Sequence, residues 1–283
     1  LGSYYRSTKP GIIYGNILTT VAGFLLASHW HIAYYRFIGV ILGTALVIAA
    51  ACVINNVLDR HIDAKMARTA QRELVAGVIS PYRAVIFGVI VGLLGLLILL
   101  VLTNAVTVDI GVAAFIVYVA AYGIGKRRSV HGTLIGSIAG AAPVMAGYCA
   151  AEGHINAAAI LVFLILAVWQ MPHFYAIALY RYNDYKAAGL PVLPVSRSIR
   201  ETKLQIVIYI GFFIVVCSLL TFFGYTGYSY LAVMSGLGLI WLYKGLHGFR
   251  APDAAVWARS MFLFSLVVIM GLSVMLAVGP SLP

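Results

Sequence analysis

Residues 55–72 read NNVLDRHIDAKMARTAQR and follow the apolar run TALVIAAACVI. Asn55, Asp59 and Asp63 recur at i, i+4 and i+8, which on a helix sets them along one face. Asn56 borders that stripe, three residues before Asp59. A row of amide and carboxylate oxygens suits Mg²⁺, which keeps waters and takes phosphate oxygens as further ligands. Lys65, Arg68 and Arg72 come next, the last two again four apart if the helix continues. A guanidinium matches phosphate oxygens bidentately. Acids followed by bases point to Mg²⁺ bridging a diphosphate. A solvated helix end laced with i, i+4 ion pairs is the plainer alternative, and the bases taken alone fit simple anchoring at a membrane face. Acids beside a membrane core are costly, so the ladder itself favours function. His61 falls on another face and reads as structural.

The elements that must hold these groups follow from composition. The 283-residue chain is 63% hydrophobic and 10% charged, against about 25% charged in soluble domains. Spans of roughly 20 apolar residues are the natural unit, and nine can be drawn, at 11–28, 37–58, 84–103, 108–125, 132–151, 155–180, 204–223, 228–246 and 261–279. Each should be a helix, because lipid offers no partner to unpaired backbone groups. The first reads as a retained span and not as a cleaved leader. With nine spans, 18 of the 19 Lys and Arg residues fall on one side and only Arg36 on the other. The positive-inside rule then puts the N-terminus in the cytoplasm and the C-terminus outside. The net charge of +11 is thereby mostly topology, and nucleic-acid binding is excluded. No linker divides residues 1–283, so one domain is expected. The long connections after spans two and six, about 59–83 and 181–203, lie on the basic side and are where function is expected. Cys52, Cys149 and Cys217 lie singly in apolar runs and suggest neither a metal site nor a redox pair.

Several motifs together are recognisable. N-N-V-L-D-R-H-I-D resembles the N-D-x-x-D-x-x-x-D motif of the UbiA superfamily of intramembrane prenyltransferases. T-K-P-G-I-I-Y-G-N (8–16), D-x-x-M-x-R-T-x-x-R (63–72), G-T-L-I-G-S-I-A-G-A-A-P (132–143), W-Q-M-P-H-F (169–174) and N-D-Y-K-A-A-G-L-P-V-L-P (183–194) are similar to its haem-farnesylating branch. The resemblance implies an all-α integral membrane protein, nine helices around a central cavity capped by the two long cytoplasmic loops. It implies transfer of a farnesyl group from farnesyl diphosphate to a vinyl group of haem B with addition of water, in a bacterial cytoplasmic (inner) membrane, with the site toward the cytoplasm. Mg²⁺ is the implied cofactor, haem B and farnesyl diphosphate the substrates, membrane lipid the surroundings, and a haem-modifying enzyme or terminal oxidase a downstream partner.

Two departures from the superfamily pattern matter. Asn56 stands where the wider superfamily has Asp. After span six the superfamily offers two or three acids, whereas at those positions here Asp184 is the only carboxylate, with Arg181, Asn183 and Lys186 around it. Arg181 or Lys186 can replace part of a metal's charge there.

Haem needs flat apolar space. His173 follows Pro172, roughly 12 Å inside the cytoplasmic end at 1.5 Å per residue, and a polar ring at that depth should face a cavity or bond to backbone freed by the proline. Gly136 and Gly140, with Gly132, form a smooth stripe that reads first as close helix packing and second as a surface for porphyrin. Tyr175 and Tyr182 can line the cavity or anchor a helix end. Aromatic residues to wall a carbocation are abundant, and the sequence does not single them out.

Three other readings compete. A different prenyl acceptor, aromatic or chlorin, is the nearest. A transporter would carry its acids deep in its spans, not at their ends. A non-catalytic haem-holding factor would have no need of a diphosphate ladder.

Overall fold

The computed structural model describes residues 2–282, and every regular element among them is a helix, with no strand. A short α1 (Gly2–Ser7) precedes α2 (Pro10–Ser28), α3 (Tyr34–Asp63) and α4 (Pro81–Leu102). The next long helix begins as α5 (Ala105–Ile116), passes through a π-helical turn at Val117–Tyr122 and ends as α6 (Gly123–Arg128). Then come α7 (Gly132–Glu152), α8 (Ala157–Tyr180), the short α9 (Tyr182–Ala187) and α10 (Leu193–Ser196), α11 (Ile199–Phe222), α12 (Tyr228–His247) and α13 (Ala254–Val278). Among the described residues, eight helical segments are long and apolar enough to cross a membrane. The expected span at 228–246 is present as α12, which is long enough but is diluted by Tyr228, Tyr230, Tyr243, Lys244 and its glycines.

Lipid supplies no hydrophobic drive between helices, so close packing must hold them together. It is closest between α2 and α7. A methyl group at Gly23 would overlap the Val144 carbonyl, and one at Gly147 the Thr20 carbonyl, so the two backbones touch. The central helices α7 and α8 are buried along much of their length, whereas α4 exposes Val89, Ile90, Leu93, Leu97 and Val101 as a lipid-facing stripe. A small third core of Val53, Leu74, Ile79 and Ala84, flanked by Tyr4 and Phe87, roots the segment 64–80 and α1 onto the basic end of α3 and α4.

Helix ends run further than the apolar periodicity indicates. α13 starts at Ala254 instead of 261, and α11 at Ile199 instead of 204, because a helix extends past the hydrocarbon into water through polar first turns. Ser198 and Asp253 cap those turns through their side-chain oxygens. One expectation needs correcting. The helix of Asp59 and Asp63 does not continue to Arg72. It stops at Asp63, and 64–80 is a chain of turns, so Arg68 and Arg72 are not helical neighbours.

Candidate functional site

The last turns of α3 present Asn55, Asn56, Asp59 and Asp63, all buried. Burying a carboxylate demands a partner, and each has one. Asp63 Oδ2 accepts from Arg72 Nη1 at 2.6 Å, and its main-chain oxygen accepts from Thr69 Oγ1 at 2.7 Å. The turns after α3 thus fold Arg72 back onto the acid nine residues earlier. Asp59 is paired with Lys126 through Oδ2 and with Arg127 Nη2 at 3.0 Å through Oδ1. Arg127 also donates to the Leu58 carbonyl at 2.7 Å. Asn55 completes the cluster when its amide nitrogen donates to Asp59 Oδ2 (2.9 Å) and its oxygen accepts from Lys126 Nζ (2.9 Å).

That orientation leaves the Asn55 nitrogen 3.5 Å from Lys9 Nζ. The Lys9 ammonium therefore faces another donor, and no carboxylate of the described residues pairs with it. Lys9 also adopts a left-handed backbone (φ 56°, ψ 67°), one of three non-glycine residues with positive φ among those described. Such strain is kept where surrounding structure enforces it. Burial lowers the Lys9 pKa; the neighbouring Arg72 and Lys126 push the same way, and Cys52 and Asp63 partly offset them. Asn56 turns toward the same N-terminal segment, its Nδ2 donating to the Ser7 carbonyl at 2.8 Å while its buried Oδ1 has no partner among the described residues. An Arg6–Glu73 ion pair and a Tyr4–Phe87 edge contact at 5.0 Å hold α1 over the site as a further cap.

The donor set is oxygen-only and sits on one helical face, with an orphaned amide oxygen beside it. It suits Mg²⁺. No group of three His, Cys, Asp or Glu side chains among the described residues can hold a metal by itself, so an ion here would complete its shell with water and ligand oxygens. Four cations, Lys9, Arg72, Lys126 and Arg127, face two carboxylates. The cluster carries an excess of positive charge that an anionic ligand would neutralise.

The other expected residues are distributed unevenly. Lys65 and Arg68 are exposed. Arg68 nevertheless stands near Tyr185, as do Arg72, Arg181 and Asp184. Burial raises the Tyr185 pKa, Arg68, Arg181 and Arg72 oppose that, and Asp184 adds to it. Charges of both long loops thus bear on Tyr185. Arg181 lies 4.5 Å from the Tyr180 ring and Lys186 5.8 Å from the Tyr182 ring. An open cleft of about 560 Å³ runs past Arg181, Asn183 and Asp184 toward Pro252 and Asp253.

The four residues expected to touch an acceptor are not gathered on one surface. His173 and Tyr175, two apart, point to different neighbours, as helical geometry requires. His173 stacks on Trp169 at 4.7 Å and meets Ser265 Oγ of α13 through Nδ1 at 2.7 Å. Ser265 gives its one proton to the Phe262 carbonyl, so His173 Nδ1 is the donor to Ser265 Oγ. Tyr175 instead packs toward Tyr209 of α11 at 6.2 Å. The glycine stripe is a correction to the porphyrin-surface reading. Gly136 receives the Tyr122 ring, Gly140 the Gln170 side chain and Gly132 the backbone at Lys126, so these positions are already covered by protein.

Sequence reasoning missed Lys9, Lys126 and Arg127, which it took for topology-setting bases. The signal lay in the T-K-P-G segment and in the K-R-R run ending the fourth span, one of which faces each side of the acid ladder.

The comparisons agree with this geometry. The model of the UbiA prenyltransferase family matches residues 16–267. A protein of Yersinia pseudotuberculosis named protoheme IX farnesyltransferase is 47% identical over 276 residues, covering 97% of this chain and 94% of its own. One of the same name from Photorhabdus laumondii is 45% identical over 281 residues, covering 99% and 96%. Among solved structures, a digeranylgeranylglyceryl phosphate synthase superposes with a TM-score of 0.80 at 19% identity, covering 98% of each chain. A UbiA homologue of Archaeoglobus fulgidus bound to GPP and Mg²⁺ gives 0.73 at 16% identity, covering 97% of this chain and 99% of that one. With a family model spanning most of its length and relatives near half identical, this chain belongs to the UbiA prenyltransferase family.

Proposed function

We propose that the chain transfers a farnesyl group from farnesyl diphosphate to a vinyl group of haem B, adding water and releasing diphosphate, to give haem O. The observation that carries the diphosphate half is the buried cluster of two carboxylates facing Lys9, Arg72, Lys126 and Arg127. The acceptor follows from the relatives named protoheme IX farnesyltransferase. Asn55, Asp59 and Asp63, with Asn56 alongside, would hold Mg²⁺, which when bound supplies positive charge to the diphosphate oxygens, while the half-exposed Asp184 helps close the site.

The protein's own part is electrostatic. Lys9, Arg72 and Lys126 bind phosphate oxygens and stabilise the charge that grows on them as the C1–O bond lengthens. Arg68 and Arg181, converging near Tyr185, close the water-facing side. The bond's electron pair leaves with diphosphate, the vinyl group attacks C1, and water adds to the resulting cation and loses a proton. No side-chain nucleophile is required. α1 and the two long loops keep bulk water from the allylic cation. His173, held through Nδ1 by Ser265, contacts the haem, and Tyr175 lines the acceptor space from another side.

We place nine spans in a bacterial cytoplasmic membrane, N-terminus inside, with residues 1–283 acting as one unit and the site opening to the cytoplasm. The test is the purified chain in lipid nanodiscs with haem B, farnesyl diphosphate and Mg²⁺, alongside aromatic and chlorin acceptors. The expected product has the mass of haem B plus one farnesyl group and one hydroxyl. A farnesylated competitor with haem B untouched would overturn the acceptor assignment.

A further inference from the structure

Lys244 near the end of α12 and Arg259 in the second turn of α13 pair with no carboxylate among the described residues. Asp253, the acid nearest to them in the chain, caps the first turn of α13 by accepting from the Ala255 and Val256 amides. The two cations lie against aromatic rings instead. Lys244 Nζ stands 5.6 Å from the Phe264 centroid and the Arg259 guanidinium 5.8 Å from that of Tyr180, both within cation–π reach. A base that only sets topology extends its head into water; these two are held at the protein wall. With the exposed Ser260 they line one open groove of about 420 Å³ between α12 and α13.

The walls of this groove are pinned together. Trp257 is buried against Gly248, where a methyl group would overlap its indole ring, and its Nε1 donates to the Lys244 carbonyl at 2.9 Å. Lys203 of α11 ties the same corner, its Nζ donating to the Gly248 carbonyl at 2.6 Å. Away from the cations the groove turns apolar. Leu263 and Val267 line it, and Met270 and Val274 carry the same exposed stripe further along α13, at spacings of three and four that keep to one helical face. Ser260 to Met270 spans about 15 Å at 1.5 Å per residue, half of a hydrocarbon core about 30 Å thick. The track is therefore one leaflet deep, with two cations and a hydroxyl at its basic-side mouth.

We propose that this groove binds an anionic phospholipid of the basic-side leaflet. The phosphodiester oxygens lie between Lys244 and Arg259 and accept from the Ser260 hydroxyl, and one acyl chain follows Leu263, Val267 and Met270. Basic pockets between membrane helices are suited to such head groups, and a free phosphate would have no use for the apolar track. The site is separate from the buried acids of α3. It borders the cleft past Arg181 only through Tyr180, whose ring Arg259 and Arg181 share.

The experiment releases the full chain from nanodiscs of phosphatidylglycerol and phosphatidylcholine in equal amounts and counts the retained lipids by native mass spectrometry. The unmodified chain is expected to keep one phosphatidylglycerol in preference to phosphatidylcholine. Lys244→Gln and Arg259→Gln should each lower that preference about fivefold, and the double variant should abolish most of it. Lys244→Arg combined with Arg259→Lys, which keeps both charges, should retain it. Arg83→Gln with Arg128→Gln removes two exposed bases of the same side and should change it by less than about twofold. The proposal is overturned if the unmodified chain keeps the two lipids equally, or if the double glutamine variant keeps the preference. It is also overturned if the Arg83 and Arg128 pair loses as much, which would make the attraction a property of the whole basic face. Retention of a second copy of the chain with no lipid would likewise overturn it, by giving the groove to a dimer.

Discussion

The two basic-side ends that follow the second and sixth spans differ in how they treat charge. At the end of α3, Asp59 and Asp63 are buried and paired with cations brought from two other places, the turns after α3 and the K-R-R end of α6, while Lys9 of the segment before α2 stands beside Asn55. After α8, Asp184 is a lone half-exposed acid, and the nearby cations Arg181 and Lys186 rest against tyrosine rings. A charge acts far more strongly where water is excluded. Affinity and catalysis should therefore be concentrated at the first end, with the second closing the site.

The largest test of that difference removes a buried acid. Asp59→Ala or Asp63→Ala is expected to lower turnover about 10³-fold, with far-ultraviolet circular dichroism unchanged, and excess EDTA should have a comparable effect on the unmodified chain. Near-normal haem O formation in either variant would abolish the distinction between the two ends. Next in size is Lys126→Met, expected to cost about 10²-fold in kcat/KM. Combined with Asp59→Asn, the double variant should lose much less than the product of the two, because both belong to one network. Strict multiplicativity would mean that Lys126 only anchors the helix.

Lys9 gives a smaller but more diagnostic effect. It holds a left-handed backbone and an ammonium without an anionic partner, both unfavourable in the unliganded chain. Lys9→Gly relieves both, at a position where glycine has no steric penalty; Lys9→Met relieves only the charge. Both are expected to weaken farnesyl thiodiphosphate binding about tenfold while raising the thermal midpoint of the unliganded chain, glycine more than methionine. A loss of stability in both would assign Lys9 a structural role.

Much of this was legible in the chain. The i, i+4, i+8 spacing of Asn55, Asp59 and Asp63 fixes a shared face whatever surrounds it, and the helices follow from lipid's refusal of unpaired backbone. The partners were not legible, because they arrive by tertiary packing. Lys126 lies 67 residues from Asp59 and Lys9 lies 46 from Asn55, and in the sequence both look like the bases that set topology. The stop of α3 at Asp63 was hidden for another reason: the A-K-M-A-R-T-A-Q-R segment has good helix formers, but burying Met66, Thr69 and Leu74 and returning Arg72 to Asp63 needs turns. Gly136 and Gly140 show the converse, a real pattern whose use, as slots for Tyr122 and Gln170, only packing reveals.

The smallest effect is expected at Asp184, and it is the sharpest measure of the asymmetry. Half exposed, Asp184 acts through a high dielectric, and exposed pairs contribute about 0–1 kcal/mol. Asp184→Asn should therefore slow turnover only about threefold. Its charge still bears on Tyr185, beside Arg68, Arg72 and Arg181, so the loss should appear in KM for the diphosphate and leave kcat nearly constant. Arg181→Gln should move KM in the same direction by a similar factor. If Asp184→Asn were instead as damaging as Asp63→Ala, and raised the Mg²⁺ concentration for half-maximal rate, then the second end would carry a metal of its own. Its exposure would then describe an open state that closes around the ligand, and the two ends would be functional equals despite their unequal acids.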